Sequence, residues 1–222
     1  MQPLAKRVVA EALGTFFLLA AVVGSGIMAE RLAGGNTALA LLANTAATGA
    51  ALIALIISFA PLSGAHFNPV VTLSFALRHD LPWREVVVYV PAQVAGGIGG
   101  VIAANLMFDL PAVFLSQHPR TGVAQLFSEF IATLGLVSVI LAASRSTVAV
   151  VAVAVGAYIS AAYWFTASTS FANPAVTIAR SLSDTFAGIR PVDTPGFVIA
   201  QFAGGIAATV LFRWLMPTRR SE

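Results

Sequence analysis

Two asparagine–proline pairs carry the chemistry open to this 222-residue chain. Asn68-Pro69 lies within H-F-N-P-V-V-T at 66–72, and Asn173-Pro174 within F-A-N-P-A-V-T at 171–177. Asparagine is a good helix N-cap, and proline suits the first helical position, whose amide has no partner in any case. Each pair therefore predicts the start of a short helix in uncharged, apolar surroundings, where the positive end of the helix dipole is little screened. Two such ends facing one another repel protons and metal cations. The asparagine amides can still donate hydrogen bonds to an oxygen passing between them. The chemistry implied is an exchange of hydrogen bonds with water or an uncharged hydroxylated solute. Kinks inside two continuous spans are the plain structural alternative, and the matched Asn-Pro-x-Val-Thr context argues against it.

The elements that must position these corners follow from composition. Hydrophobic residues make up 58% and charged residues 9%, far from soluble usage, so the chain reads as an all-α membrane protein. Charge-free tracts predict six spans at about 9–28, 38–60, 84–107, 125–144, 147–166 and 195–215. Two further apolar pieces, 64–78 and 168–182, are too short to cross and each contains an Asn-Pro break. Non-helical backbone survives at membrane depth only when buried in protein or lining a polar cavity, so each piece is expected to be a re-entrant half-helix. Lys6 and Arg7 precede an apolar run as in a signal peptide, but Glu11 interrupts that run, and a retained first span is expected. With the amino terminus inside, Lys6, Arg7, Arg78, Arg84, Arg145, Arg213, Arg219 and Arg220 are cytoplasmic. Arg31, Arg120, Arg180 and Arg190 are then outside, a division that satisfies the positive-inside tendency. Both termini are expected in the cytoplasm of a multi-pass protein.

The same signals recur in the same order in each half. A-E-A-L-G-T-F-F-L-L at 10–19 answers S-E-F-I-A-T-L-G-L-V at 128–137, and A-Q-V-A-G-G at 92–97 answers A-Q-F-A-G-G at 200–205. Three spans per half give successive halves opposite orientations, so an inverted repeat is expected within a single channel domain covering 1–222. Its first unit runs from about 8 to 107 and its second from about 125 to 215. Glu11 and Glu129 could be proton carriers of a coupled transporter, since acids within the membrane are functional candidates. Their equivalent positions favour structural acceptors for loop amides. His66 neighbours the first cap and faces a vestibule, but one histidine without acidic or cysteine partners makes no metal site. The chain has no cysteine, phosphate loop, triad or catalytic carboxylate pair, so neither enzyme function nor a cofactor is expected. No basic run exceeds two residues, which gives nucleic acid no footing. A coupled secondary transporter also uses broken helices, and stays open as an alternative, but apart from His66 no ionisable residue stands beside either Asn-Pro corner, which counts against it.

With these residues in view, the sequence resembles the aquaporin and aquaglyceroporin family over almost its full length. The family pattern S-G-G-H-x-N-P-A-V-T is met by S-G-A-H-F-N-P-V-V-T at 63–72, and the second Asn-Pro-Ala is intact at 173–175. The resemblance implies a homotetramer with a pore in every subunit, in contact with membrane lipid, and a bacterial inner-membrane location. It also implies that Glu11 and Glu129 brace the re-entrant loops. Ala65 and Val70 depart from the pattern and are expected to alter packing without removing the cap. Val176 is the larger departure, standing where most members have the arginine of the constriction. Carried across by motif spacing, that constriction becomes Thr48, Ala161, Ser170 and Val176, with no histidine, arginine or aromatic side chain. Such a ring implies a wide aperture passing solutes at least as large as glycerol, including undissociated metalloid acids such as arsenite, with water passing but not selected. Bacterial relatives without the arginine are associated with arsenic detoxification. A small register shift would replace Ala161 by Tyr163 or Trp164, narrow the route and leave a water-selective channel. Arg180, four residues past Val176 and about 6 Å farther along the helix, can lean back to return a positive charge to the outer mouth. The plainer assignment, preferred from sequence, is a snorkelling residue that caps the short helix and meets Asp184 or headgroups.

Overall fold

The computed structural model describes residues 2–216. Among these the chain forms eight helices: α1 (Leu4–Leu32), α2 (Thr37–Ser63), α3 (Pro69–Leu77), α4 (Trp83–Met107), α5 (Val123–Ala143), α6 (Val148–Phe165), α7 (Pro174–Arg180) and α8 (Thr194–Leu215). Six of them, α1, α2, α4, α5, α6 and α8, are long and apolar enough to cross a membrane. Their 18 to 29 residues reach about 27 to 44 Å at 1.5 Å each. The chain is thus an all-α, multi-pass membrane protein with two half-helices, as the charge-free tracts and Asn-Pro breaks predict. The half-helices are shorter than 64–78 and 168–182 because the residues before each proline run as loop. Arg219 and Arg220 lie outside the described residues.

The ends of the long helices follow local chemistry. Asn36 caps α2 by accepting from the Leu39 amide, and Thr147 caps α6 by accepting from the Val150 amide. Gly64 closes α2 in the left-handed conformation at φ 96°, which turns the chain back into the membrane. Helix α1 starts five residues earlier than the uncharged tract predicts. Arg7 is buried in it, neutralised by Glu85 of α4 at 2.6 and 2.9 Å, so the charge is carried inside the bundle.

Packing repeats between the halves. Helix α1 lies along α4 as α5 lies along α8, and α2 against α6 joins the two units. A side chain on Gly96 would collide with the Ala12 carbonyl, one on Gly100 with the Phe16 carbonyl, and one on Gly204 with the Phe130 carbonyl. Backbone therefore approaches backbone at equivalent places in each half, as membrane helices do through small residues. Val70 fills the space over Gly205, which is how α3 accommodates valine in place of the smaller residue. Half-helices α3 and α7 meet at their N-terminal ends in the middle of the bundle.

Candidate functional site

Each asparagine caps its own half-helix and reaches into the other's loop. Asn68 Oδ1 accepts from the Val70 amide at 2.9 Å, and Asn173 Oδ1 accepts from Ala175 and Val176 at 3.0 and 3.4 Å. Asn68 Nδ2 donates to the Ala172 carbonyl and Asn173 Nδ2 to the Phe67 carbonyl, both at 2.8 Å. This reciprocal bond uses one N–H of each amide and leaves the second beside a cavity that both asparagines line. The cavity holds about 850 Å³ of empty space, open mouths included, and passes from Gly64 and His66 at one end to Val176 and Arg180 at the other.

The loops before the caps are held by two fully buried glutamates. Glu11 Oε1 accepts from the His66 amide at 3.0 Å and Ser63 Oγ at 2.6 Å, while Oε2 accepts from the Phe67 amide at 2.7 Å and Gln93 Nε2 at 2.8 Å. Glu129 repeats the arrangement with the Phe171 amide at 2.9 Å, the Ala172 amide at 2.8 Å and Gln201 Nε2 at 2.6 Å. Gln93 and Gln201 also donate to Thr72 and Thr177, at 2.9 and 2.8 Å. A trans peptide points its N–H and C=O in opposite directions. Amides drawn back to the glutamates therefore turn the carbonyls of Ala65, His66, Ser170 and Phe171 toward the cavity. Ala65, Phe67, Ser170 and Ala172 adopt φ of 48 to 52° to do this, a left-handed conformation that costs about 1–2 kcal/mol per residue. These acceptors escape a reading of side chains. The paired glutamates, each tied to a loop, are the signal that reveals them.

Thr48, Ser170 and Val176 line the cavity, but Ala161 does not. It is exposed on the outer face of α6, and Tyr163 lines the cavity instead, its hydroxyl donating to Thr48 Oγ1 at 3.2 Å. The cavity stripe of α6 is Val151, Val155, Ile159 and Tyr163, four residues apart, and Ala161 is turned about 200° from Tyr163. The residues lining the cavity beside Thr48 therefore include an aromatic side chain, where the sequence reading expected Ala161 and none. Trp164 is exposed.

Arg180 also departs from its preferred assignment. It is 2% exposed and lines the cavity, with Nε donating to the Ala187 carbonyl and the guanidinium carbon 3.4 Å from the centre of the Phe171 ring. Asp184 instead accepts from the Gln117 amide at 2.8 Å. Arg120, which the sequence marks only as an outer charge, is buried nearby. It donates to the carbonyls of Gly188 and Ser168 at 2.8 and 3.0 Å and lies 4.8 Å from the Phe171 ring centre. At the other end His66 Nδ1 is 3.2 Å from Thr72 Oγ1, and its ring packs on Phe75 and Tyr89. Among the described residues no group of three or more histidine, cysteine or acidic side chains is placed to hold a metal.

A family model described as major intrinsic protein matches residues 2–151. Aquaglyceroporin AqpS of Rhizobium meliloti (strain 1021) is 58% identical over 217 residues, covering 98% of this chain and 93% of that protein. Aquaporin NIP1-4 of Oryza sativa subsp. japonica is 34% identical over 211 residues, covering 91% and 74%. The X-ray structure of the aquaglyceroporin from Plasmodium falciparum matches with a TM-score of 0.79 over 97% of this chain and 98% of that one, at 20% identity, a likeness of fold alone. A matching model over more than half the chain, joined by a relative as similar as AqpS, means that the chain belongs to the major intrinsic protein family.

Proposed function

We propose that this protein is a passive channel for small uncharged hydroxylated solutes: glycerol-like polyols, metalloid acids such as undissociated arsenite, and water. The observation that carries the reading is a continuous cavity lined by both capping asparagines and bounded, where Thr48, Tyr163 and Ser170 converge, by Val176. A solute entering it finds an amide N–H from each asparagine and a file of loop carbonyls on one wall, with aliphatic side chains such as Leu52 and Val155 opposite. A molecule with several hydroxyls satisfies both walls by laying its carbons on the apolar one. The positive ends of α3 and α7 oppose a bare cation. A relative called an aquaglyceroporin, 58% identical, supports the same solute class. The family is one of channels, not enzymes.

In this reading Thr48, Ser170, Val176 and Tyr163 form the selectivity constriction, and Glu11 and Glu129 brace the loops that carry the carbonyls. The 222 residues make one channel domain, assembled as a homotetramer in a bacterial inner membrane with both termini cytoplasmic. A water-selective channel is the second reading, favoured by one observation, the Tyr163 ring in the constriction. Light scattering from proteoliposomes under glycerol and sucrose gradients separates them. Rapid glycerol entry that Val176→Arg cuts at least about tenfold is the expected result. Rapid water flux without glycerol entry would establish the second reading instead.

A further inference from the structure

Val176 leaves the turn next to the second asparagine cap without a cation, and Arg180 supplies one from the following turn. The Nε of Arg180 is held by Ala187, and the plane of the guanidinium is steadied by the Phe171 ring. Among the described residues no protein acceptor meets Nη1 or Nη2, although the side chain is 98% buried and lines the cavity. A guanidinium carries five N–H donors in a fixed fork, so four remain for whatever occupies the cavity. The nearby carboxylates are engaged elsewhere: Asp184 with the Gln117 amide, and Glu129 with the Phe171 and Ala172 amides. The last carbonyls of α7, where Arg180 is the final helical residue, favour a cation at this place.

We propose that Arg180 is the charge filter of this pore, its backbone rooted one helical turn, about 6 Å, beyond Val176, so that sieving by size and selection by charge fall to different residues. The aperture is the ring of Thr48, Tyr163, Ser170 and Val176. The free fork of Arg180 receives an uncharged solute presenting two oxygen acceptors, side by side, and turns away cations. This inference rests on the channel reading and assigns it a specificity residue. With a unit charge about 6 Å from a passing cation at an effective dielectric of about 20, the barrier is worth on the order of a hundredfold in cation passage.

The test uses the full-length protein in liposomes, with potassium leak and glycerol entry measured on the same preparations. Arg180→Gln keeps a donor for Ala187 but removes the charge, and is expected to raise potassium leak at least about tenfold while glycerol still enters. Arg180→Lys keeps a charge that can be titrated, and at a pH low enough for the lysine to be protonated it should leak no more than the wild type. Burial and the neighbouring Arg120 lower the pKa of a lysine at this place, so the variant's leak should climb as the pH rises through a value below the ordinary one of about 10.4, while wild-type leak stays level. The charged or titratable groups facing this position are His118 and Arg120 from the loop before α5, Glu129 of α5, Tyr163 of α6 and Asp184 from the loop after α7. Repeating the lysine profile in a Tyr163→Phe background takes the tyrosine hydroxyl out of the comparison. Leak as low as wild type in a monodisperse Arg180→Gln protein, or a level profile in Arg180→Lys, would overturn the proposal. Should the glutamine variant not assemble, the lysine profile decides alone. Wild-type protein that passes no glycerol would refute the solute reading by itself, because potassium leak reports on Arg180 independently of it.

Discussion

Tyr163 bridges the cavity to Thr48 with one hydrogen bond, and two substitutions separate its hydroxyl from its bulk. Tyr163→Ala is expected to increase glycerol entry several-fold and admit longer polyols, whereas Tyr163→Phe should change entry less than twofold, both read by light scattering. The glutamates permit a second test. A carboxylate that accepts from two loop amides and a glutamine cannot be replaced by an amide without setting two donors against each other. Glu11→Gln and Glu129→Gln should each lower stability by roughly 2–4 kcal/mol in thermal unfolding and reduce flux. A proton carrier would behave otherwise, with stability kept and a pH-dependent flux lost. The asparagines and glutamates stand out in the sequence because each occurs twice in the same company. Tyr163 is less legible. Distance from a motif does not fix the rotational phase of α6, and a helix that is apolar all round gives no stripe from which to read it. The burial of Arg180 depends on a loop that returns Ala187 to its Nε, a contact no local pattern announces.

At the scale of elements, close pairing of α1 with α4 and α5 with α8 depends on glycine at the crossing points. Gly96→Ala would place a methyl group against the Ala12 carbonyl and is expected to cost more than about 2 kcal/mol, visible as a lower unfolding midpoint in detergent. Gly99→Ala, three residues on, meets only the edge of the Phe16 ring at 3.3 Å and should cost less than about 1 kcal/mol. A similar loss from both would mean that helix propensity, not the crossing, decides the outcome. The six spans and two half-helices are legible because charges and Asn-Pro breaks punctuate an otherwise apolar chain. The true start of α1 is not, because Arg7 finds its counter-charge 78 residues away on Glu85.

Over the whole molecule, the mouth beside Arg180 is built from segments far apart in sequence. Asp193, at the start of α8, accepts from the Arg120 amide at 2.9 Å and from Arg190 at 3.1 and 3.3 Å. Burial pushes the Asp193 carboxyl upward, but these hydrogen bonds outweigh it and hold its pKa below the ordinary value. A carboxylate depressed on folding contributes stability above its unfolded value, about 3.9, and that contribution fades as the pH falls through the folded value. Asp193→Asn is therefore expected to lower the unfolding midpoint by a few degrees at pH 7 and to flatten its acid limb below about pH 4, as differential scanning fluorimetry would record. The crossed asparagine bonds have a further consequence, for biosynthesis. Asn68 precedes its partner carbonyl on Ala172 by 104 residues, and at roughly 5–20 residues per second the ribosome takes about 5–20 s to deliver it. During that interval the first half-helix stands at the membrane with its cap facing no counterpart. Ribosome-bound chains halted before residue 160 should leave a cysteine placed at Val71 open to a water-soluble thiol reagent. Chains released after α8 has formed should close it off, so that the second half of the protein completes the first as it emerges.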